Sequence, residues 1–265
     1  MSDDVQVQDG GPVEEDLFPY TDADDAGDLS RAERTTPVPY DKFLYIGKGL
    51  TASEFTNYVN GYNFGSKPPD YVVLHHTGIP FLMNARAAGD NIAGAWDNDA
   101  GMSDEARYNR RLQKVHNMRE YYRTNPGLLW DRGPHLFVDE RYIWLFTPMY
   151  HPGIHAKQGN QYTDDSGRLR YSVGIEVIGN YTNTRWSEPV AKLVGHAVAT
   201  LQKRLQNFEI RYKPGPRSAQ KNVARDHNPW THVNSVCSHR DFNKAACPGN
   251  SITEEYYIQV IQSVM

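Results

Sequence analysis

The sequence predicts an α/β fold in which helices pack on one β-sheet. Two short apolar runs, "YVVL" at 71–74 and "YSVGIEVIG" at 171–179, have the composition of strands buried on both faces. Two long stretches, at 103–125 and 187–208, begin with serine and acidic residues, which is typical of helices. Buried strands that are separated by long helices indicate an α/β architecture.

Shorter elements complete this order. A helix is expected from Thr51, because Thr51 and Glu54 have the spacing of a capping box. Three further segments have the composition of short elements: a strand at 42–49, a hairpin at 134–148 and a closing helix at 251–265. The segment 212–234, rich in proline and arginine, predicts irregular structure.

The charge is divided unevenly along the chain. Residues 1–36 hold eleven acidic and two basic residues and few large apolar ones, so we expect an acidic tail that is disordered or serves for docking. Residues 37–265 form the predicted folded domain and carry 26 basic and 21 acidic residues. The basic excess in residues 37–265 suits binding to an anionic polymer such as bacterial cell wall. A solvated surface of mixed charge is an equally good interpretation.

The composition also argues against several classes of protein. No apolar run approaches the roughly 20 residues of a membrane span. The N-terminus lacks the basic start and apolar core of a secretory signal, so we expect synthesis in the cytoplasm. No phosphate-binding loop or aromatic-basic pattern indicates a nucleic-acid partner.

Polar residues with metal-binding chemistry follow or interrupt the predicted strands. His75 directly follows the predicted strand at 71–74, and Glu176 interrupts the predicted strand at 171–179. His239 and Cys247 lie in "CSHRDFNKAACPG" at 237–249. Two imidazoles and a thiolate are a zinc ligand set that leaves a fourth position for water. The residues alone leave two other interpretations open: a nucleophilic Cys–His pair, or a buried cysteine among ordinary core histidines.

Five motifs in order carry a family resemblance: "VVLHHTG", "GPHLFV", "GIHAKQGN", "SVGIEVIGNY" and "HRDFNKAACPG". Together they resemble the zinc-dependent N-acetylmuramoyl-L-alanine amidases, which include phage lysozymes of the amidase type and peptidoglycan recognition proteins. The resemblance runs from about Lys42 to the C-terminus. It implies a central mixed β-sheet flanked by helices and cleavage of the amide between N-acetylmuramic acid and L-alanine in peptidoglycan.

The resemblance also implies roles for individual residues. It makes His75, His239 and Cys247 the ligands of a Zn2+ ion, with His76 as the alternative if the strand register is offset by one residue. The expected substrate contacts are His155, Lys157 and Asn180.

Two positions depart from the family pattern. Some members carry a tyrosine where this chain has Pro134, and other members use the glutamate that corresponds to Glu176, which is therefore the expected general base. Members often carry lysine or threonine where this chain has Ala245, so Lys244 is the candidate for contact with the developing oxyanion.

The resemblance permits more than one function. The leading hypothesis is a peptidoglycan hydrolase that acts on the cell wall. A second is a peptidoglycan-binding module of the same fold without strong activity. A third is a phage virion-associated component, in which the acidic tail binds an assembly partner and the amidase domain is carried with it.

Overall fold

A computed structural model describes residues 36–78, 101–156, 159–163, 167, 169–205, 236–242 and 244–265. Apart from Thr36, the predicted acidic tail lies outside the described residues, as do Lys157 and the segment 212–234. The division of the chain at residue 36 therefore stays a prediction.

Within the described residues, seven strands form a mixed β-sheet. They are β1 (Lys48–Leu50), β2 (Tyr71–His76), β3 (Leu136–Val138), β4 (Ile143–Leu145), β5 (Gln161–Thr163), β6 (Leu169–Val177) and β7 (Val236–Ser238). The strand order is β1-β4-β3-β6-β2-β7, and β5 pairs with the start of β6. β3, β6, β2 and β7 run parallel, whereas β3 and β4 form the predicted hairpin. This arrangement confirms the predicted α/β fold with a central mixed sheet.

Four helices accompany the sheet in the described ranges: α1 (Ala52–Gly61), α2 (Asp104–Thr124), α3 (Glu188–Arg204) and α4 (Glu254–Gln262). Their starts follow the capping residues of the sequence. The hydroxyl of Thr51 accepts the N–H of Glu54, and the Glu54 carboxylate accepts the N–H of Thr51, which is the predicted capping box. No helix in these ranges has the length and apolar character to cross a membrane.

The first predicted strand is shorter than expected. It was expected to span 42–49, but β1 begins at Lys48. Gly47 has a φ of 69°, a left-handed conformation that interrupts the extended backbone just before the strand. The Ile46 N–H still donates to the carbonyl of Phe146 at 2.8 Å, so this segment lies along the sheet without forming a continuous ladder.

The two faces of the sheet bury different sets of side chains. Leu74 packs into the large core, whereas Tyr71 and Val73 belong to a smaller apolar cluster on the opposite face. His75 shares the face of Tyr71 and Val73, because side chains alternate along a strand. The register of β2 and β6 pairs His75 with Glu176, so both reach the same face near the carboxyl ends of their strands.

Candidate metal centre and active site

The structure brings His75, His239 and Cys247 together. One ligand atom from each lies within 4.8 Å of the others. The two Nδ1 atoms of His75 and His239 are 2.9 Å apart, and Cys247 Sγ is 3.9 Å from His75 Nδ1. A tetrahedral zinc with usual bond lengths separates such atoms by about 3.3–3.6 Å, so the three donors fit this metal after small adjustments.

The topology explains why residues so distant in the chain meet here. His75 is the penultimate residue of β2, and His239 directly follows β7 in a 3₁₀ helix (His239–Phe242). β2 and β7 are parallel neighbours, so their carboxyl ends lie at one edge of the sheet. The chain then turns back: the Lys244 N–H donates to His239 O at 3.3 Å, and the Cys247 N–H donates to Lys244 O at 2.9 Å.

Arg240 holds the loop that carries Cys247. Its guanidinium is buried, with 7% of the residue exposed, and donates to three carbonyl oxygens of this loop and its continuation: Ala245 at 3.1 Å, Gly249 at 2.8 Å and Ile252 at 3.2 Å. Five fixed N–H donors suit arginine to such a task. Arg240 is not among the residues predicted from the sequence, where only its position next to His239 distinguishes it.

A carboxylate borders the cluster. Glu176 Oε1 lies 3.7 Å from His75 Nδ1, and 13% of the Glu176 side chain is exposed. Glu176 is held between two parallel neighbours, because β6 pairs with β2 on one side and with β3 on the other. An acid–base group therefore lies beside the three candidate ligands on a central strand.

Burial favours the neutral forms of His75 and His155. It lowers the pKa of His75 well below its usual value of 6.5, and the nearby His239 and His155 act in the same direction. Burial also lowers the pKa of His155 well below that value. Neutral imidazole is the form that binds a metal, so the environment favours the ligand state at neutral pH.

Lys244 lies on the loop between two candidate ligands and is partly exposed. Partial burial lowers the pKa of Lys244, and the nearby Cys247 opposes this shift. The lysine predicted to contact an oxyanion is therefore close enough to Cys247 for an electrostatic interaction.

His155 lies behind His75. It is 3% exposed, and its ring is perpendicular to the ring of His75 with 5.1 Å between the centroids. His155 Nδ1 is 3.0 Å from Nε2 of His75, the ring nitrogen opposite the one that faces His239. The contact of His155 with substrate, which the resemblance implies, stays a prediction.

The other candidate residues lie at the edge of the site. His76, the alternative ligand, uses its Nδ1 to accept the N–H of Tyr181 at 3.2 Å. Asn180 is partly exposed, and its Oδ1 accepts the N–H of Thr182 at 3.0 Å. Its contact with substrate stays a prediction, and Lys157 lies outside the described residues.

The model of the N-acetylmuramoyl-L-alanine amidase family matches residues 65–250 of this chain. The match covers well over half of the sequence and includes the three candidate ligands and Glu176. The chain belongs to this family, whose members act on or bind peptidoglycan.

A search of solved structures found similarity to proteins from Drosophila and from Clostridium intestinale. Drosophila PGRP-LB is 15% identical, with a TM-score of 0.43 over 74% of this chain and 81% of that chain. The endolysin N-acetylmuramoyl-L-alanine amidase LysCS from Clostridium intestinale URNW is 17% identical, with a TM-score of 0.36 over 74% of this chain and 85% of that chain. A comparison with curated proteins found no match. Family membership therefore rests on the sequence match.

Proposed function

We propose that this protein is a zinc-dependent N-acetylmuramoyl-L-alanine amidase. Its substrate is the amide bond between the lactyl group of N-acetylmuramic acid and the L-alanine of the stem peptide. The observation that carries the proposal is the convergence of His75, His239 and Cys247 beside Glu176, in a chain that belongs to the amidase family.

The donor set supports zinc as the cofactor. His75 and His239 would bind it through Nδ1, and Cys247 through Sγ, because these atoms face one another. Two imidazoles and one thiolate are common zinc ligands, and a fourth position is left for water or substrate. When bound in such a site, zinc lowers the pKa of water toward about 7 and polarises a carbonyl group.

Glu176 is the proposed general base and acid. Its carboxylate takes a proton from the water that attacks the amide carbon, and it then gives this proton to the nitrogen of the leaving L-alanine. The position of Glu176 beside His75 supports this role, because the proton would be taken close to the candidate ligands. Lys244 is the proposed donor to the carbonyl oxygen as negative charge develops on it.

Contacts to the polymer are proposed around this centre. Asn180 is a candidate because it is partly exposed and lies four residues beyond Glu176, just after β6 ends. Lys157 is a candidate by resemblance alone. The acidic tail at 1–36, its assembly partner and delivery to the cell wall stay predictions.

The first test is Glu176→Gln, which keeps the side-chain shape and removes the base. The purified variant is expected to retain zinc in the wild-type ratio. Release of stem peptide from purified peptidoglycan should fall by about 10²- to 10⁴-fold, the usual contribution of general acid–base catalysis. Glu188→Gln is the matched control, because Glu188 is 77% exposed on α3 and should leave the rate unchanged.

A peptidoglycan-binding module is the second candidate function. Pro134 and Ala245 favour it, because some family members carry a tyrosine at the first position and members often carry lysine or threonine at the second. Wild-type protein that binds zinc and peptidoglycan without releasing stem peptide would establish this alternative. Hydrolysis by Glu176→Gln at the wild-type rate would instead reject Glu176 as the base.

A further inference from the structure

A chain of buried hydrogen bonds leads away from His75 on the side opposite the candidate metal. His75 Nε2 lies 3.0 Å from His155 Nδ1. The other nitrogen of His155, Nε2, lies 3.1 Å from the hydroxyl of Ser172, which in turn lies 2.6 Å from the carbonyl oxygen of Gly159. His75, His155 and Ser172 are each no more than 3% exposed, so water does not compete with these bonds.

The carbonyl group of Gly159 determines which atoms donate and which accept along this series of hydrogen bonds. A carbonyl oxygen only accepts, so the single hydroxyl proton of Ser172 goes to Gly159 O. The carbonyl of Asn160, 3.5 Å from the same hydroxyl, is also only an acceptor. Ser172 Oγ must therefore accept from His155, which places the one N–H of the neutral His155 ring at Nε2.

The position of the proton on His155 determines where the proton lies on His75, the candidate ligand. His155 Nδ1 carries no proton and acts as an acceptor, so the bond at 3.0 Å requires His75 to donate from Nε2. The neutral His75 ring has no second proton, and its Nδ1 therefore presents a lone pair. That atom is the one that faces His239 and Cys247.

Close packing at Gly174 and hydrogen bonds to Asn160 hold His155 in this place. Gly174 lies under the ring, and a Cβ at this position would come within 2.4 Å of His155 Cγ. The Asn160 side chain accepts the N–H groups of His155 and Ala156 at 2.8 and 2.6 Å. The ring of His135 also lies beside the ring of His155. His135 donates from its Nε2 to His151 O and accepts at its Nδ1 from the Gly174 N–H.

We propose that His155 is a positioning residue which, oriented by Ser172, holds His75 as the tautomer protonated at Nε2 and directs its Nδ1 to the metal. Histidine ligands usually donate their second N–H to a carboxylate, a carbonyl or water, and a neutral histidine takes that place here. The proposal rests on the proposed function for the identity of the metal. The tautomer itself is a property of the metal-free protein.

Metal affinity distinguishes positioning from packing. His155→Leu fills a similar volume without an acceptor, and zinc affinity measured by chelator competition is expected to fall about 10- to 100-fold. His155→Asn keeps an amide oxygen near the place of Nδ1 and is expected to remain close to wild type. Equal losses in the two variants, or no loss in either, would overturn the positioning role.

A second readout uses the wild-type protein without metal or substrate. In protein labelled with ¹⁵N-histidine, long-range ¹⁵N–¹H correlation spectra should show His75 protonated at Nε2. A ring protonated at Nδ1 contradicts the proposal, whether or not the variants fold. Ser172→Ala should shift His75 to a mixture of tautomers, and an unchanged spectrum would exclude Ser172. Absence of peptidoglycan hydrolysis with the expected tautomer and zinc affinity would count against the proposed function alone.

Discussion

Alanine at Gly174 would put a methyl group into the ring of His155. The new Cβ would lie 2.4 Å from Cγ, 2.5 Å from Cδ2 and 2.7 Å from Nδ1 of that ring. Carbon atoms in contact are about 3.5–4.0 Å apart, so the overlap exceeds about 1 Å. β6 lies between β2 and β3, and His155 is buried, so neither side can move freely. Overpacking of this kind lowers the free energy of unfolding by about 1–3 kcal/mol.

The same substitution should weaken zinc binding. A displaced His155 ring loses its contact with His75 Nε2, and we expect zinc affinity to fall about 10- to 100-fold. Urea unfolding of the metal-free protein and zinc titration against a chelator measure the two effects. Gly61→Ala is the control, because a methyl group there meets no atom within 4 Å outside the neighbouring residues and backbone of its own helix. Wild-type unfolding free energy and zinc affinity in Gly174→Ala would refute the reasoning.

Two further predictions concern the contacts of Arg240 with the loop that carries Cys247, and the buried histidines. Arg240→Lys keeps the charge, but the lysine cannot reach all three carbonyl groups, so the free energy of unfolding should fall by about 1–3 kcal/mol. An unchanged midpoint of urea unfolding would contradict the stabilising role of these contacts. The metal-free protein should lose stability between pH 7 and pH 5, as measured by urea unfolding. Burial lowers the pKa of His135 to about 4 and that of His75 and His155 well below 6.5, so below pH 6.5 the unfolded chain binds more protons. Each such group contributes a loss of about 1.4 kcal/mol per pH unit between its folded and unfolded pKa, and equal or higher stability at pH 5 would contradict this sign.

Local patterns in the sequence predicted the elements because their causes are local. The capping box at Thr51 and Glu54 marks the start of α1, and the apolar run before His75 marks β2. The shorter β1 shows the limit of this reasoning. Its start depends on the left-handed conformation of Gly47, which the apolar pattern at 42–49 did not indicate.

The resemblance predicted which residues would meet, and the structure brings His75, His239 and Cys247 together. The choice between His75 and His76 needed the strand register, because neighbouring side chains point to opposite faces. In the structure His75 joins the cluster, while His76 accepts from the Tyr181 backbone.

The sequence by itself determined the α/β class, most element boundaries, the charge division and the candidate ligand set. The tertiary structure alone decided what supports those ligands. Ser172 and Glu176 reach the face of His75 because β6 pairs with β2 in one particular register, and His155 reaches His75 from a separate segment of the chain. Such contacts depend on pairing between distant parts of the chain, whereas composition and spacing along the sequence report only on neighbours.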